Sequence, residues 1–217
     1  MKNIQDQWNA ANGTARIKVG VNKKGKAIYE TYKVKFNFDA VETRNQYDIG
    51  DRILSFISGT KSLKAEISSN TDNRNNYIRV ENNTSQGVSY YDGTGSNTGV
   101  FKLDNVKNAN STTESHEYGH GPGLIAGTPD GHPVNTDLRK QGQPGIMYPR
   151  GTLVDAPFTY NQSAGASTSA GANTLNPESR KVTQADIDAL GLGKLQFNSS
   201  GQANLGTLTN QYHKKGD

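Results

Sequence analysis

The stretch HEYGHGPGLIAGTPDGHP, residues 116–133, decides how the rest of the chain is interpreted. It holds three of the four histidines in 217 residues, and because cysteine is absent any zinc site must use imidazole and carboxylate ligands. His116 and His120 stand four residues apart, so a helix would place both imidazoles on one face, within reach of one zinc ion. Glu117 lies one position round, where a carboxylate suits a general base.

A third ligand is needed, because two histidines alone would hold zinc weakly. Gly123 is a suitable helix end, after which the chain can turn back towards the metal. We favour His132 as the third ligand, since imidazole is the commoner zinc partner beside two histidines. Asp130 is the first alternative, and Glu178, the one glutamate after Glu117, is the second.

Each candidate for the third ligand also has an ordinary interpretation. His132 fits an exposed loop histidine, and Asp130 fits the turn-forming aspartate of a Pro-Asp-Gly sequence. Glu178, in Asn-Pro-Glu-Ser, fits the first turn of a helix. The sequence leaves these alternatives open.

An apolar turn, GIMYP at residues 145–149, follows this stretch and contains Met147, one of only two methionines. HEYGHGPG together with GIMYP resembles the metzincin clan of zinc peptidases, which combine an HExxHxxGxxH/D helix with a Met-turn. The resemblance covers roughly residues 112–149 and departs from the pattern at Ala126, where metzincins carry the third ligand. The roles it implies are zinc ligands His116 and His120, general base Glu117, helix-breaking Gly123 and Met-turn methionine Met147.

A second and less specific resemblance covers residues 137–161 and 174–192. These segments resemble the C-terminal toxin regions of bacterial Rhs-type and related polymorphic effectors, including those of type VI secretion. The resemblance implies that the domain is secreted, or delivered into a target cell, as part of a larger effector. It also implies a cognate immunity protein as a partner.

The expected fold is α+β and metzincin-like: a twisted mixed sheet with an active-site helix, followed by a loop-rich C-terminal half. We expect a single metallopeptidase domain over 1–217, sheet-rich over about 1–110 and carrying the zinc helix, Met-turn and C-terminal helix over about 111–217. Low-complexity sequence over 162–172 is typical of a mobile loop.

Hydrophobic periodicity predicts the individual elements. Alternation with period two over 16–21 and 28–38 predicts a long hairpin with one buried face. Three further strands are expected at 63–67, 77–80 and 100–103, the last of them an edge strand that would hold substrate. Helices are expected at 47–57 and 183–191, the second with Thr183 and Asp186 in a capping arrangement. Weak strand signals stand at 195–197 and 205–208, and His213 is expected to be a solvated tail residue.

Composition excludes several classes of partner. The formal charge of +4 and the pI of about 9.1 permit weak attraction to anionic surfaces. The basic residues are scattered and not interleaved with aromatic ones, so no nucleic-acid partner is expected. No apolar run approaches the ~20 residues of a membrane helix, and the first ten residues lack the apolar core of a signal peptide. We therefore expect no membrane insertion and no signal peptide in this chain.

The sequence predicts a zinc-dependent endopeptidase that hydrolyses peptide bonds of a protein or peptide substrate, through a zinc-bound water activated by Glu117. One alternative is a catalytically inactive metzincin-like binding module. The other is a zinc amidase that acts on cell-wall peptides.

Overall fold

The computed structural model describes residues 2–41, 62–123, 128, 130–161 and 174–216, and this part of the chain is a mixed α+β structure. Its helices are α1 (Lys2–Ala10), α2 (Leu63–Ser68), α3 (Leu103–Lys107), α4 (Thr113–His120) and α5 (Gln184–Ala189). Its strands are β1 (Thr14–Val21), β2 (Ala27–Lys33), β3 (Tyr77–Glu81), β4 (Tyr90–Tyr91) and β5 (Thr98–Lys102). Short 3-10 turns span Ala156–Phe158, Pro177–Ser179 and Leu192–Lys194.

The described strands form two separate sheets rather than one. Strands β1 and β2 form an antiparallel hairpin, and the other sheet has the order β3-β5-β4, with β3 parallel and β4 antiparallel to β5. The combination of helices with two small sheets confirms the predicted α+β class. The prediction of 100–103 as an edge strand was wrong, because these residues belong to central β5 and to the start of α3. Strand β4 has only two residues, too few for a periodic signal.

The strand predicted at 63–67 was also wrong, since these residues lie in helix α2. Their alternation of apolar and polar side chains imitates a strand, but Ser62 caps the segment by accepting a hydrogen bond from the Ala65 N–H. Leu, Lys, Ala and Glu are all strong helix formers. Ile67 is the one buried residue of this six-residue helix and packs it against the rest of the protein.

The predicted hairpin is present but shorter, because β2 ends at Lys33. The alternating residues 34–38 continue across helix α1 instead. There the Asn9 side chain donates to the Phe36 carbonyl at 2.8 Å and accepts from its N–H at 2.9 Å, and Gln5 accepts from the Phe38 N–H at 2.8 Å. The expected buried face was therefore wrong for the hairpin, which is largely exposed, and Val34, Phe36 and Phe38 beyond it are only partly buried against the core.

Helix α1, which the sequence did not predict, packs against α4 through Trp8. This side chain is 1% exposed, and its indole N–H donates to the Ser115 carbonyl at 3.1 Å. Its ring lies 5.0 Å from that of Phe36 and meets Tyr118 edge to face at 5.5 Å. Because Tyr118 lies two residues, or roughly 200°, round α4 from His116, this contact with Trp8 does not cover the histidines.

The C-terminal tail crosses the end of the mixed sheet. The strand expected at 205–208 is reduced to a single bridge between Thr207 and Ser96, and 195–197 is not a strand either. The expectation that His213 is solvated was wrong, since it is buried with Nε2 2.8 Å from an Asp92 carboxylate oxygen. Tyr90 packs edge to face on the same imidazole. An acidic side chain distant in sequence therefore fixes the tail.

Helix α5 confirms the predicted capping arrangement. Thr183 accepts from the Asp186 N–H, Asp186 accepts from the Thr183 N–H, and Gly191 follows in the left-handed conformation with φ +63°. The helix predicted at 47–57 and the low-complexity tract at 162–172 lie outside the described residues. Within the described ranges, no helix has the length and apolar character that crossing a membrane would require.

Replacement of Trp8 by alanine tests the α1–α4 contact. Loss of a fully buried indole is expected to lower the free energy of unfolding by about 3–5 kcal/mol, measured by urea denaturation. Val21→Ala, at a side chain that is 58% exposed, is the control and should change stability by less than about 0.5 kcal/mol. Equal effects of the two substitutions would contradict this packing.

Candidate metal centre

Helix α4 carries the first two histidines and ends where Gly123 was expected to break it. The last helical residue is His120, and the Gly123 N–H donates back to its carbonyl at 3.0 Å. Gly123 has φ +82°, a left-handed conformation that glycine adopts without strain. The chain leaves the helix at this point, and Ala126 lies outside the described residues.

Three histidines converge beside α4, where His116 and His120 are buried and His132 is partly exposed. One ring nitrogen each from His116, His120 and His132 lies within 4.8 Å of the other two, close enough to bind one metal ion. The Nε2 atoms of His116 and His132 are 3.0 Å apart. A tetrahedral zinc ion with Zn–N distances of ~2.0–2.1 Å would hold its nitrogens about 3.3 Å apart, so a small adjustment would seat one.

Gly131 explains how the loop delivers His132. Its φ is +68°, and a Cβ atom there would lie 2.7 Å from His120 Nδ1 and 2.7 Å from Thr94 Oγ1. Both the backbone conformation and the lack of space require glycine. The loop thus packs flat against the second histidine and places the third beside the first.

The hydrogen-bond partners of two imidazoles orient them for a cation. Nδ1 of His116 lies 2.8 Å from the Ile146 carbonyl, and Nδ1 of His132 lies 3.2 Å from an Asp130 carboxylate oxygen. Both partners are acceptors, so protons on the two Nδ1 atoms would satisfy them and leave each Nε2 lone pair for a metal ion. Two lone pairs 3.0 Å apart repel unless a cation or a proton lies between them. The donor set therefore fits a metal ion.

The two alternative ligands take other positions. Asp130 is exposed and holds His132 twice, through Nδ1 and by accepting its backbone N–H at 3.2 Å. The bond to His132 lowers the pKa of this carboxyl group. Glu178 is exposed in the 3-10 turn, where it accepts from Asn108 at 3.4 Å. Neither carboxylate belongs to the histidine cluster.

The apolar turn around Met147 connects the cluster to helix α5. Ile146 and Met147 have no exposed surface. The Ile146 carbonyl accepts from His116, while its N–H donates to Asp186 at 3.3 Å. Burial raises the pKa of the Asp186 carboxyl group, which also accepts from Thr183. The capping box was visible in the sequence, but this second role of Asp186 was not.

Arg180 is a component of the site that the sequence did not indicate. It is 5% exposed; its Nε donates to Thr112 Oγ1 at 3.1 Å, and one terminal nitrogen donates to the Tyr148 carbonyl at 3.1 Å. The same nitrogen lies 2.9 Å from His116 Nδ1. His116 Nδ1 therefore has both a carbonyl acceptor and a guanidinium donor within hydrogen-bond distance. Burial and then the charge of Arg180 lower the pKa of His116 well below its ordinary value.

Burial also controls the other ionisable groups of the site. It lowers the pKa of His120 to about 4, so this imidazole is in its neutral, metal-binding form at neutral pH. It raises the pKa of Glu117 to about 8, against the opposing charge of Arg180. Without a metal ion nearby Glu117 is therefore mostly protonated at neutral pH, and a metal ion at the cluster would lower its pKa and favour the carboxylate form that a base requires.

The histidines open into a cleft of about 280 Å³. One wall is formed by the three histidines with Glu117 and Asp130, and the other by Val88, Ser89, Tyr90, Tyr91, Gly93 and Thr94. Tyr148 is not among the lining residues; it packs on a second apolar cluster that contains Leu138, Val154 and Leu175. The cleft thus combines three histidines and two carboxylates with the aromatic residues of strand β4.

Comparison with known proteins adds no relative. No protein-family model matches the chain, and neither a curated protein nor a solved structure matches it. The metzincin resemblance therefore rests on its two sequence motifs, and the effector resemblance on the general likeness of residues 137–161 and 174–192.

Metal content of three variants tests the third ligand. His132→Ala is expected to lower the bound zinc from about one equivalent to less than a tenth, because it leaves two ligands. Glu178→Ala should retain full content. Asp130→Asn should also bind zinc, with affinity weakened about 10–100-fold by loss of the carboxylate that orients His132. Zinc titration against a chelating indicator measures all three, and full-affinity binding by His132→Ala would contradict the assignment.

Proposed function

We propose that the chain is a zinc-dependent endopeptidase. The observation that carries the proposal is the facing pair of Nε2 atoms from His116 and His132, beside His120 and in the same cleft as Glu117. Three imidazoles, with no thiolate or carboxylate ligand among them, form a donor set that suits zinc. Imidazole ligands also suit copper, iron and nickel. A three-ligand site leaves a fourth position open, which is typical of catalytic rather than structural zinc.

His116, His120 and His132 would hold the zinc ion. When bound there, zinc supplies Lewis acidity towards a substrate carbonyl and lowers the pKa of water. Helix α4 carries two of these ligands and the loop after Gly131 carries the third, while the turn at Ile146 orients His116. A preorganised donor set of this kind loses little conformational freedom on binding the metal.

Glu117 would act as the general base. It follows His116 on α4 and lines the cleft, so its carboxylate is within the same space as the proposed metal and a water molecule. It would take a proton from the water that attacks the scissile carbonyl, and then give that proton to the leaving amine. Each transfer conserves charge within the site, and Glu117 is regenerated.

A peptide substrate agrees with the shape of the opposite wall. Strand β4 lines the cleft through Tyr90 and Tyr91, and among the described strands it pairs only with β5. Its outer edge is thus available to an extended chain, and extended backbone is the form in which peptides pair with a sheet edge. This supports peptide hydrolysis over a reaction on a compact small molecule.

The alternatives remain a catalytically inactive binding module and a zinc amidase that acts on cell-wall peptides. Glu117 favours an enzyme, because a module that only binds has no chemical need for a base beside the metal. Delivery into a target cell and a cognate immunity protein remain predictions from the effector resemblance.

Glu117→Gln tests the reaction. Cleavage of an unbiased peptide library, followed by mass spectrometry, is expected to fall by about 10²–10⁴-fold, because the amide cannot accept the proton. Zinc content should be unchanged. The matched control is Glu178→Gln, which makes the same chemical change at an exposed carboxylate and should cleave at the wild-type rate.

Two results would contradict the proposal. Undiminished cleavage by Glu117→Gln would exclude this residue as the base. Zinc-loaded wild-type protein that hydrolyses no library peptide but releases fragments from peptidoglycan would identify the amidase, and no hydrolysis of either would identify the binding module.

A further inference from the structure

The hairpin β1–β2 is an exposed ribbon attached at one end. All seven residues of β2 are exposed, and in β1 only Ala15 is buried. The base is held by Gln184, which accepts from the Thr14 N–H at 2.9 Å and donates to its carbonyl at 2.8 Å. A two-stranded ribbon with so little burial is only marginally stable alone. Its exposure therefore gains little folding free energy from burial, and a binding role would explain why the ribbon projects.

The ribbon concentrates the positive charge of the chain. Residues 14–33 contain six basic residues and one acidic residue, Glu30, whereas the formal charge of all 217 residues is only +4. The basic residues are Arg16, Lys18, Lys23, Lys24, Lys26 and Lys33. None of these six makes an ion pair with any residue in the described ranges.

The strand register places three of these cations on one face. The pairs Thr14 with Lys33, Arg16 with Thr31 and Lys18 with Tyr29 stand opposite one another, so their side chains share that face. The Arg16 guanidinium lies 4.5 Å from the centre of the Tyr29 ring, a cation–π contact. All of these side chains are exposed. We call this surface the basic face.

Exposed apolar side chains stand next to the basic face near the turn, and one of them, Val21, belongs to that face. A register irregularity between Lys18 and Gly20 marks a bulge that contains Val19, which is 45% exposed. Beyond it Val21, 58% exposed, pairs with Ala27 on the basic face, whereas Ile28, 43% exposed, lies on the opposite face. Arginine and tyrosine beside apolar groups are typical of protein interfaces. The outer edge of β2 also lacks a second strand among the described residues, and an unpaired edge is a template for another chain.

We propose that the ribbon docks an acidic protein partner, which adds an extended segment as a third strand along β2. Its carboxylates would face Arg16, Lys18 and Lys33, and its backbone would pair with the free edge. A second copy of the same ribbon is disfavoured because it would oppose like charges. A nucleic acid or a membrane surface would satisfy the charges but leave the backbone edge unpaired.

This inference is independent of the proposed hydrolysis. No hairpin residue lines the cleft, and the partner would dock without zinc or Glu117. The complete chain is therefore used as it is, and binding is measured without a substrate assay.

The probe is the capped heptapeptide Glu-Val-Glu-Thr-Glu-Val-Glu, which matches the seven residues of β2. Titration is expected to slow amide hydrogen exchange in β2. Lys18→Glu combined with Lys33→Glu should weaken binding at least tenfold. The matched control, Lys64→Glu combined with Lys107→Glu, makes the same charge change at exposed lysines on α2 and α3 and should alter the Kd less than twofold.

A second peptide separates strand pairing from charge alone. With both valines replaced by proline, the probe keeps its charge but loses two backbone donors, and its affinity should fall at least tenfold. Equal affinity of the two peptides, or no protection of β2, would overturn the proposal. Tighter binding to phosphatidylglycerol vesicles or duplex DNA than to the first peptide would also overturn it, and would assign the basic face to that surface instead.

Discussion

The hydrogen bond between His116 Nδ1 and the Ile146 carbonyl is the interaction on which the candidate site depends. It joins α4 to the buried turn around Met147, and Asp186 holds the other side of the same peptide group. These contacts fix the orientation of the imidazole, with Nε2 turned towards His132. Without this bond the His116 ring could rotate, and its Nε2 atom would no longer be held 3.0 Å from that of His132.

Short-range patterns were predictable from the sequence, whereas contacts made across long separations were not. HEYGH and Gly123 specify a helix and its end because their geometry is local, and the Thr183–Asp186 cap is local for the same reason. The mixed α+β class followed from alternating and helical periodicities. The edge position given to 100–103 failed because strand order depends on pairing with the two-residue β4, and the strand at 63–67 failed because capping by Ser62 outweighed an alternating pattern.

The candidate site divides in the same way. His116, Glu117 and His120 were predictable from residue type and spacing. His132 was favoured because imidazole is a common zinc ligand. Asp130 was weighed as a ligand, but it binds the outer nitrogen of His132, a distinction that only distances reveal. Arg180 gave no signal, since an arginine in a loop is ordinarily solvated. Its buried position beside His116 arises from tertiary packing of residues 64 positions apart.

Gly131 determines where the third histidine meets the first two, and it does so by fitting against the face of His120 rather than by its distance along the chain. The number of residues between Gly123 and Gly131 is therefore not set by the geometry of the cluster, provided that the loop returns to the same contact. A signature that fixes the interval between the second and third ligands would pass over such a chain. Proteins of this kind are better sought by a glycine-histidine pair after an HExxH helix, with the interval left free.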